Sequence, residues 1–266
     1  MVEPRTAWVT VILIAGIGFV NYILWKLYGS RGIELTGFLG GLVNSSVAVS
    51  ELAQRVRDTQ GQILEVAYRG MVLAITAMLV RNAVLLALLA PAALASAAVA
   101  LLLMLVASVG LGFLHPQART DAPPADAPVL RLVSPFSLTS TLKFGVILLL
   151  IQVAGALAQH TLGQIGVYAI SLLGGLFSSA SAVAAAATLG AKGTITPRMA
   201  GVCAVIASLT SVIVNVPLVL AAHERPLMKR LAWAVGIIMV VGVVGIVAQR
   251  AGGTVAYRLV HELGHL

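Results

Sequence analysis

Leu39-Gly40-Gly41-Leu42-Val43-Asn44-Ser45-Ser46-Val47-Ala48-Val49 and Leu173-Gly174-Gly175-Leu176-Phe177-Ser178-Ser179-Ala180-Ser181-Ala182-Val183 are one phrase written twice, 134 residues apart. At that spacing Gly40/Gly174, Gly41/Gly175, Leu42/Leu176, Ser45/Ser179, Ala48/Ala182 and Val49/Val183 are identical pairs. Upstream, Gly29 and Gly32 meet Gly163 and Gly166; downstream, Thr76 meets Thr210 and Arg81 meets Asn215. An ungapped repeat of this length in an apolar chain is a mark of transporter-like folds, whose sites lie where the two halves face each other.

The chain is 59% hydrophobic and only 10% charged, with a mean hydropathy of +1.02. Soluble domains carry about 25% charged residues, so the fold class is an all-α, polytopic bundle of transmembrane helices in a lipid bilayer. The net charge of +8 belongs with loops that set membrane topology. No basic face interleaved with aromatics is present, which excludes a nucleic-acid interface. The lone Cys203 excludes a disulfide scaffold and most cysteine-ligated metal sites.

Apolar stretches fall at 7–27, 33–50, 70–90, 92–113, 138–159, 165–189, 199–222 and 228–249. The first has a weak basic flank and no small-residue cleavage site, and reads as a retained span. Between the fourth and fifth, residues 115–135 hold five of the chain's ten prolines and read as a linker. Two tandem homologous halves follow, 1–114 and 136–249, with a polar tail over 250–266. Residues 51–69 mix acidic and basic side chains with Leu, Val and Ile at helical spacing, and predict a short, solvated surface helix.

The stretches bearing the doubled phrase admit two readings. As full spans they give four crossings per half and both halves the same orientation. As re-entrant segments they leave three crossings per half and invert one half against the other. The bias of Lys and Arg between the two faces is equally large either way. Some 18–25 apolar residues suffice to cross a bilayer, so eight spans are the expectation and six spans with re-entrant loops the alternative.

Arg81 stands about ten residues from either end of its apolar run, too deep to reach a surface. A guanidinium at mid-bilayer costs at least about 2.5–3.5 kcal/mol unless it faces protein acceptors. The candidates are Glu34, carbonyls freed at the Gly-Gly breaks, and Asn215. Gly40, Gly41, Asn44, Ser45 and Ser46 in one half, with Gly174, Gly175, Ser178, Ser179 and Ser181 in the other, supply backbone ends and hydroxyls. They line a polar pathway, or else pack helices closely as small residues do. None of the nine carboxylates sits at the centre of a span, which argues against a divalent-cation cage. A small polar or anionic solute is the better match. At the tail, His261-Glu262-Leu263-Gly264-His265 has the spacing of zinc peptidases but lacks a third ligand. His261 and His265 are therefore weak metal candidates, and neither a cofactor nor an enzymatic reaction is expected.

Tyr28 to Val49, the downstream Arg81, and Pro135-Phe136-Ser137-Leu138 with Leu142-Lys143-Phe144 resemble the MgtC/SapB family of bacterial membrane proteins, in the branch whose C-terminal membrane region has no assigned function. The similarity covers nearly all of 7–222. It implies a bacterial inner-membrane location and, in the better-known branch, an association with magnesium homeostasis. The sequence departs from that pattern where relatives tend to place an acid (here Ser178) and a Lys (here Asn215), and the extra N-terminal membrane domain that family members often carry is not expected here. The resemblance leaves open a transporter or channel, a non-transporting partner protein, a lipid-acting enzyme, and a homo-oligomer.

Overall fold

A methyl group on Gly174 would lie 3.1 Å from the Cβ of Ala182 in a computed structural model of the chain. On a straight helix these positions would be about 12 Å apart. The chain therefore turns back on itself between them, at Ser178, whose φ of −163° and ψ of 104° are extended, not helical. The structure describes residues 33–113 and 138–263, with Ile12, Gly16 and Ile23 as isolated positions; side chains are described over 33–113, 146–220 and 223–249. The 7–27 span and the 115–135 linker lie outside the described residues, apart from those isolated positions.

The described elements are α1 (Ile33–Asp58), α2 (Leu64–Leu89), α3 (Pro91–Phe113), α4 (Leu138–Phe177), α5 (Ser179–Ala191), α6 (Pro197–Leu218), a 3-10 turn (Val219–Ala222) and α7 (Arg225–Leu263). There is no strand among them, so the bundle is all-α as the composition required. Six helices are long and apolar enough to cross a membrane. Length and composition, however, do not register where a helix reverses.

Inside α1 the break falls on Asn44 (φ −156°, ψ 106°), the repeat partner of Ser178. Gly37 packs on the backbone of Gly70, Gly41 on that of Ala74, and the Ser45 hydroxyl donates to the sulfur of Met78 at 3.4 Å. Up to the break, then, α1 climbs alongside α2. Past it the direction changes, because Leu52 Cδ1 returns to within 3.0 Å of where a methyl on Gly70 would sit. Residues 33–43 and 45–58 are thus the two arms of a helical hairpin, about 16 and 21 Å long. Neither arm can cross a hydrocarbon core of about 30 Å.

The second half repeats the plan. At Gly163 (φ 60°, ψ −141°) the chain leaves the long crossing segment 138–162, using a left-handed conformation that costs glycine little. A methyl on Gly166 would fall 2.9 Å from the Cβ of Ala158, which marks this reversal as well. Residues 164–177 and 179–191 then form the second hairpin, and α6 and α7 correspond to α2 and α3. The expectation of eight spans, four per half, is corrected: the doubled stretches are re-entrant. Each adds two short arms whose residues sum to the length of one span.

Equivalent helices in the two halves run in opposite directions. Along α3 and α7, Gln249 donates to the carbonyl of Ala95, Gly245 packs on Ala100, and Gly242 packs on Met104. The numbering rises on one helix as it falls on the other. Since α7 repeats α3, the halves are inverted. Small residues on both sides let these backbones approach.

One further expectation is corrected. Residues 51–69 are no separate surface helix: they are the end of one arm, a turn over 59–63, and the start of α2. Gln60 (φ 50°) and Gly61 (φ 81°) make that turn in the left-handed region, and the charges sit at its rim. The tail from 250 continues the backbone of α7 as far as Leu263. The side chains of His261 and Glu262, and the whole of His265, lie outside the described residues.

Candidate functional site

Each hairpin turns on a side-chain cap. The amides of Ser46 and Val47 donate to Asn44 Oδ1 at 3.1 and 3.3 Å. In the other half the Ser181 amide donates to Ser178 Oγ at 3.2 Å, and the two serine hydroxyls lie 2.9 Å apart. Asn and Ser are strong N-cap residues because a short polar side chain reaches the first free amides of a helix. The cap thus starts the returning arm at the depth where the first one ends.

The ends of the first arms present carbonyls, the partially negative end of a helix. In the first half these carbonyls have a cationic partner. Arg81 Nη1 donates to Val43 O at 2.7 Å and to Leu42 O at 3.1 Å, while Nη2 donates to Ser179 Oγ at 3.2 Å. Ser179 opens the returning arm of the opposite hairpin. One guanidinium therefore joins both hairpin tips. Its planar fork of donors suits the task in a way a single ammonium would not. Arg81 is 8% exposed, and its Nε is buried with no hydrogen-bond partner among the described residues.

Of the expected partners of Arg81, the break carbonyls are the ones it uses. Glu34 instead pairs with Arg69 at 3.2 Å, at the open end of the first hairpin. Asn215 is fully buried on α6, and its Nδ2 donates to Ser211 O at 3.2 Å. Its Oδ1 is buried without a partner among the described residues. Gly41 and Gly175 carry no polar contact; they seat the hairpins, Gly41 on Ala74 and Gly175 on Ala207, whose carbonyl a methyl would approach to 2.5 Å. Ser45, Ser179 and Ser181 are buried, whereas Asn44 is exposed at the tip and Ser46 half-buried.

Asn82, next to Arg81, was not among the expected residues. It is fully buried, and its Nδ2 donates to Ser208 Oγ at 3.0 Å, linking α2 to α6 across the halves; its Oδ1 has no partner among the described residues. An amide beside the arginine in an otherwise apolar run was the available signal. Thr76 and Ser108 add a buried hydroxyl pair at 3.0 Å between α2 and α3. Among the described residues, no cluster of three or more His, Cys, Asp or Glu could hold a metal ion.

Residues 12–223 match a family described as a domain of unknown function, DUF4010. The chain belongs to that family. The match takes in both hairpins, α2, α3 and α6, and so includes every residue around Arg81 in this DUF4010 domain. No curated protein and no solved structure matches the chain.

Proposed function

We propose that this DUF4010 protein is a transporter or channel-like protein whose polar pathway runs between the two hairpin tips. The observation that carries the reading is Arg81 bound to both tips at once. Broken helical segments from inverted halves, meeting at mid-membrane around a polar residue, form the kind of centre at which membrane carriers bind their cargo. Such backbone is tolerated at that depth only where protein or water covers it, and the exposed Asn44 at the tip favours a wet face. The fixed charge of Arg81, the half-helix amides capped by Asn44 and Ser178, and the absence of nearby carboxylates among the described residues favour a small anionic or polar solute over a bare divalent cation. The resemblance to MgtC/SapB proteins is the ground for placing the chain in a bacterial inner membrane.

A second reading has its own observation behind it. Both Nη groups of Arg81 already have protein acceptors, so the guanidinium also serves as a fixed pin, and the chain would then be a membrane partner or regulatory protein. Proteoliposome flux separates the two. With chloride, acetate, phosphate and glycerol as the panel, the transport reading expects saturable uptake of at least one. Arg81→Gln then raises the half-saturating concentration about tenfold or more, the value of a hydrogen bond to a charged group, while the protein still elutes as the wild type does. Wild-type vesicles no more permeable than empty ones across the panel would leave the pin and partner reading.

A further inference from the structure

The two halves are equivalent in backbone but not in charge at their centre. Around the first hairpin, Arg81 supplies a cation to the carbonyls of Leu42 and Val43 and reaches across to Ser179. At the spacing of the repeat, Asn215, Leu176, Phe177 and Ser45 are the counterparts of Arg81, Leu42, Val43 and Ser179. The two breaks share their backbone angles, within about 10°, and both hairpins seat a glycine of the repeat on the following helix, Gly41 on Ala74 and Gly175 on Ala207. Asn215 is neutral and shorter. It brings no positive charge to the carbonyl end of the 164–177 arm, while its own Oδ1 is fully buried and has no donor among the described residues.

From this asymmetry we infer a monovalent-cation site in the second half, at the position that the Arg81 guanidinium fills in the first, formed by the carbonyls of Leu176 and Phe177, Asn215 Oδ1 and the Ser45 hydroxyl. The first half demonstrates the electrostatics, because a cation already sits at that kind of helix end and the dipole favours it. The chemistry of the donors sets the ion class. All four are neutral oxygens, and residues 70–90, 165–189 and 197–222 contain no carboxylate. Sodium or potassium tolerates such a set, whereas tight calcium or magnesium sites draw on charged oxygens. An ion bound there satisfies the orphaned amide oxygen and gives each hairpin tip one positive charge. The site does not depend on the tips passing a solute.

Thermal unfolding of the purified full chain in detergent, in NaCl, KCl and choline chloride at equal ionic strength, tests the assignment. A ligand bound only by the folded state raises the midpoint saturably with concentration. The wild type therefore melts higher in NaCl or KCl than in choline chloride. Asn215→Leu loses that difference. Asn215→Arg, which supplies the charge covalently, melts at the same temperature in all three salts. Asn215→Asp keeps the difference and reaches half-effect at about tenfold lower cation concentration, because a charged ligand tightens the site. A wild type indifferent to the cation overturns the inference, with water as the partner of Asn215. So does a salt difference that survives in Asn215→Leu, or one whose concentration dependence is unchanged in Asn215→Asp.

Discussion

Arg81 holds its place because two backbone carbonyls and one hydroxyl converge on it, and the same contacts fix what its replacement costs. Arg81→Met removes the donor and leaves the Val43 and Leu42 carbonyls short of a partner, at a cost of about 1–3 kcal/mol. Arg81→Lys keeps the charge, but one ammonium cannot reproduce the fork, so about half of that loss is expected. Thermal unfolding in detergent ranks them wild type, Lys, Met. A Met variant as stable as the wild type would show that the guanidinium holds nothing together. The sequence made Arg81 conspicuous, since a charge at mid-bilayer must find acceptors. It could not say which, because the carbonyls of Leu42 and Val43 are backbone atoms that no residue type advertises. Glu34 was a plausible partner by charge alone, and lies instead with Arg69 at the hairpin's open end.

The hairpins were half-legible as elements. The repeat located both breaks, and Asn44 and Ser178 sit at the same offset within it. Their meaning as N-caps was available too: a short polar residue followed by small ones, in the middle of an apolar run, is a helix start. Counting length obscured it. Two arms of about 16 and 21 Å use as many residues as one span, and hydropathy does not change sign at a reversal. The caps predict a matched pair of effects. Asn44→Ala and Ser178→Ala each remove a side-chain acceptor from the first amides of a returning arm, and each lowers stability by about 1 kcal/mol. The two losses add in the double variant if the hairpins are independent, and a coupling above about 0.5 kcal/mol shows that the tips share a network through Ser179 and Arg81.

For the whole molecule, inversion follows from α3 and α7 running antiparallel, with Gly245 and Gly242 against Ala100 and Met104. Gly245→Leu forces these helices apart and costs about 1–3 kcal/mol; unchanged thermal unfolding would contradict that packing. The Arg230–Glu65 pair also joins the halves, but both side chains are more than a third exposed, so its contribution is small. Fold class came from composition, and the paired halves from the repeat. Orientation did not, because spans and re-entrant segments gave equally lopsided distributions of basic residues. With the hairpins established, Arg55, Arg57, Arg69, Arg225, Lys229 and Arg230 share one face.

The inverted pair of hairpins is the claim on which the site, its asymmetry and the transport reading all depend. Single cysteines in a Cys203→Ala background, at Arg31, Gln60 and Thr194, test it by labelling with a membrane-impermeant maleimide in intact cells and in inverted vesicles. Arg31 and Gln60 flank the first hairpin, and Thr194 lies in the turn after the second. The account predicts that Arg31→Cys and Gln60→Cys label from the same face and Thr194→Cys from the opposite one. Arg31→Cys and Gln60→Cys labelling from opposite faces would make residues 33–58 a full crossing and contradict the inverted arrangement.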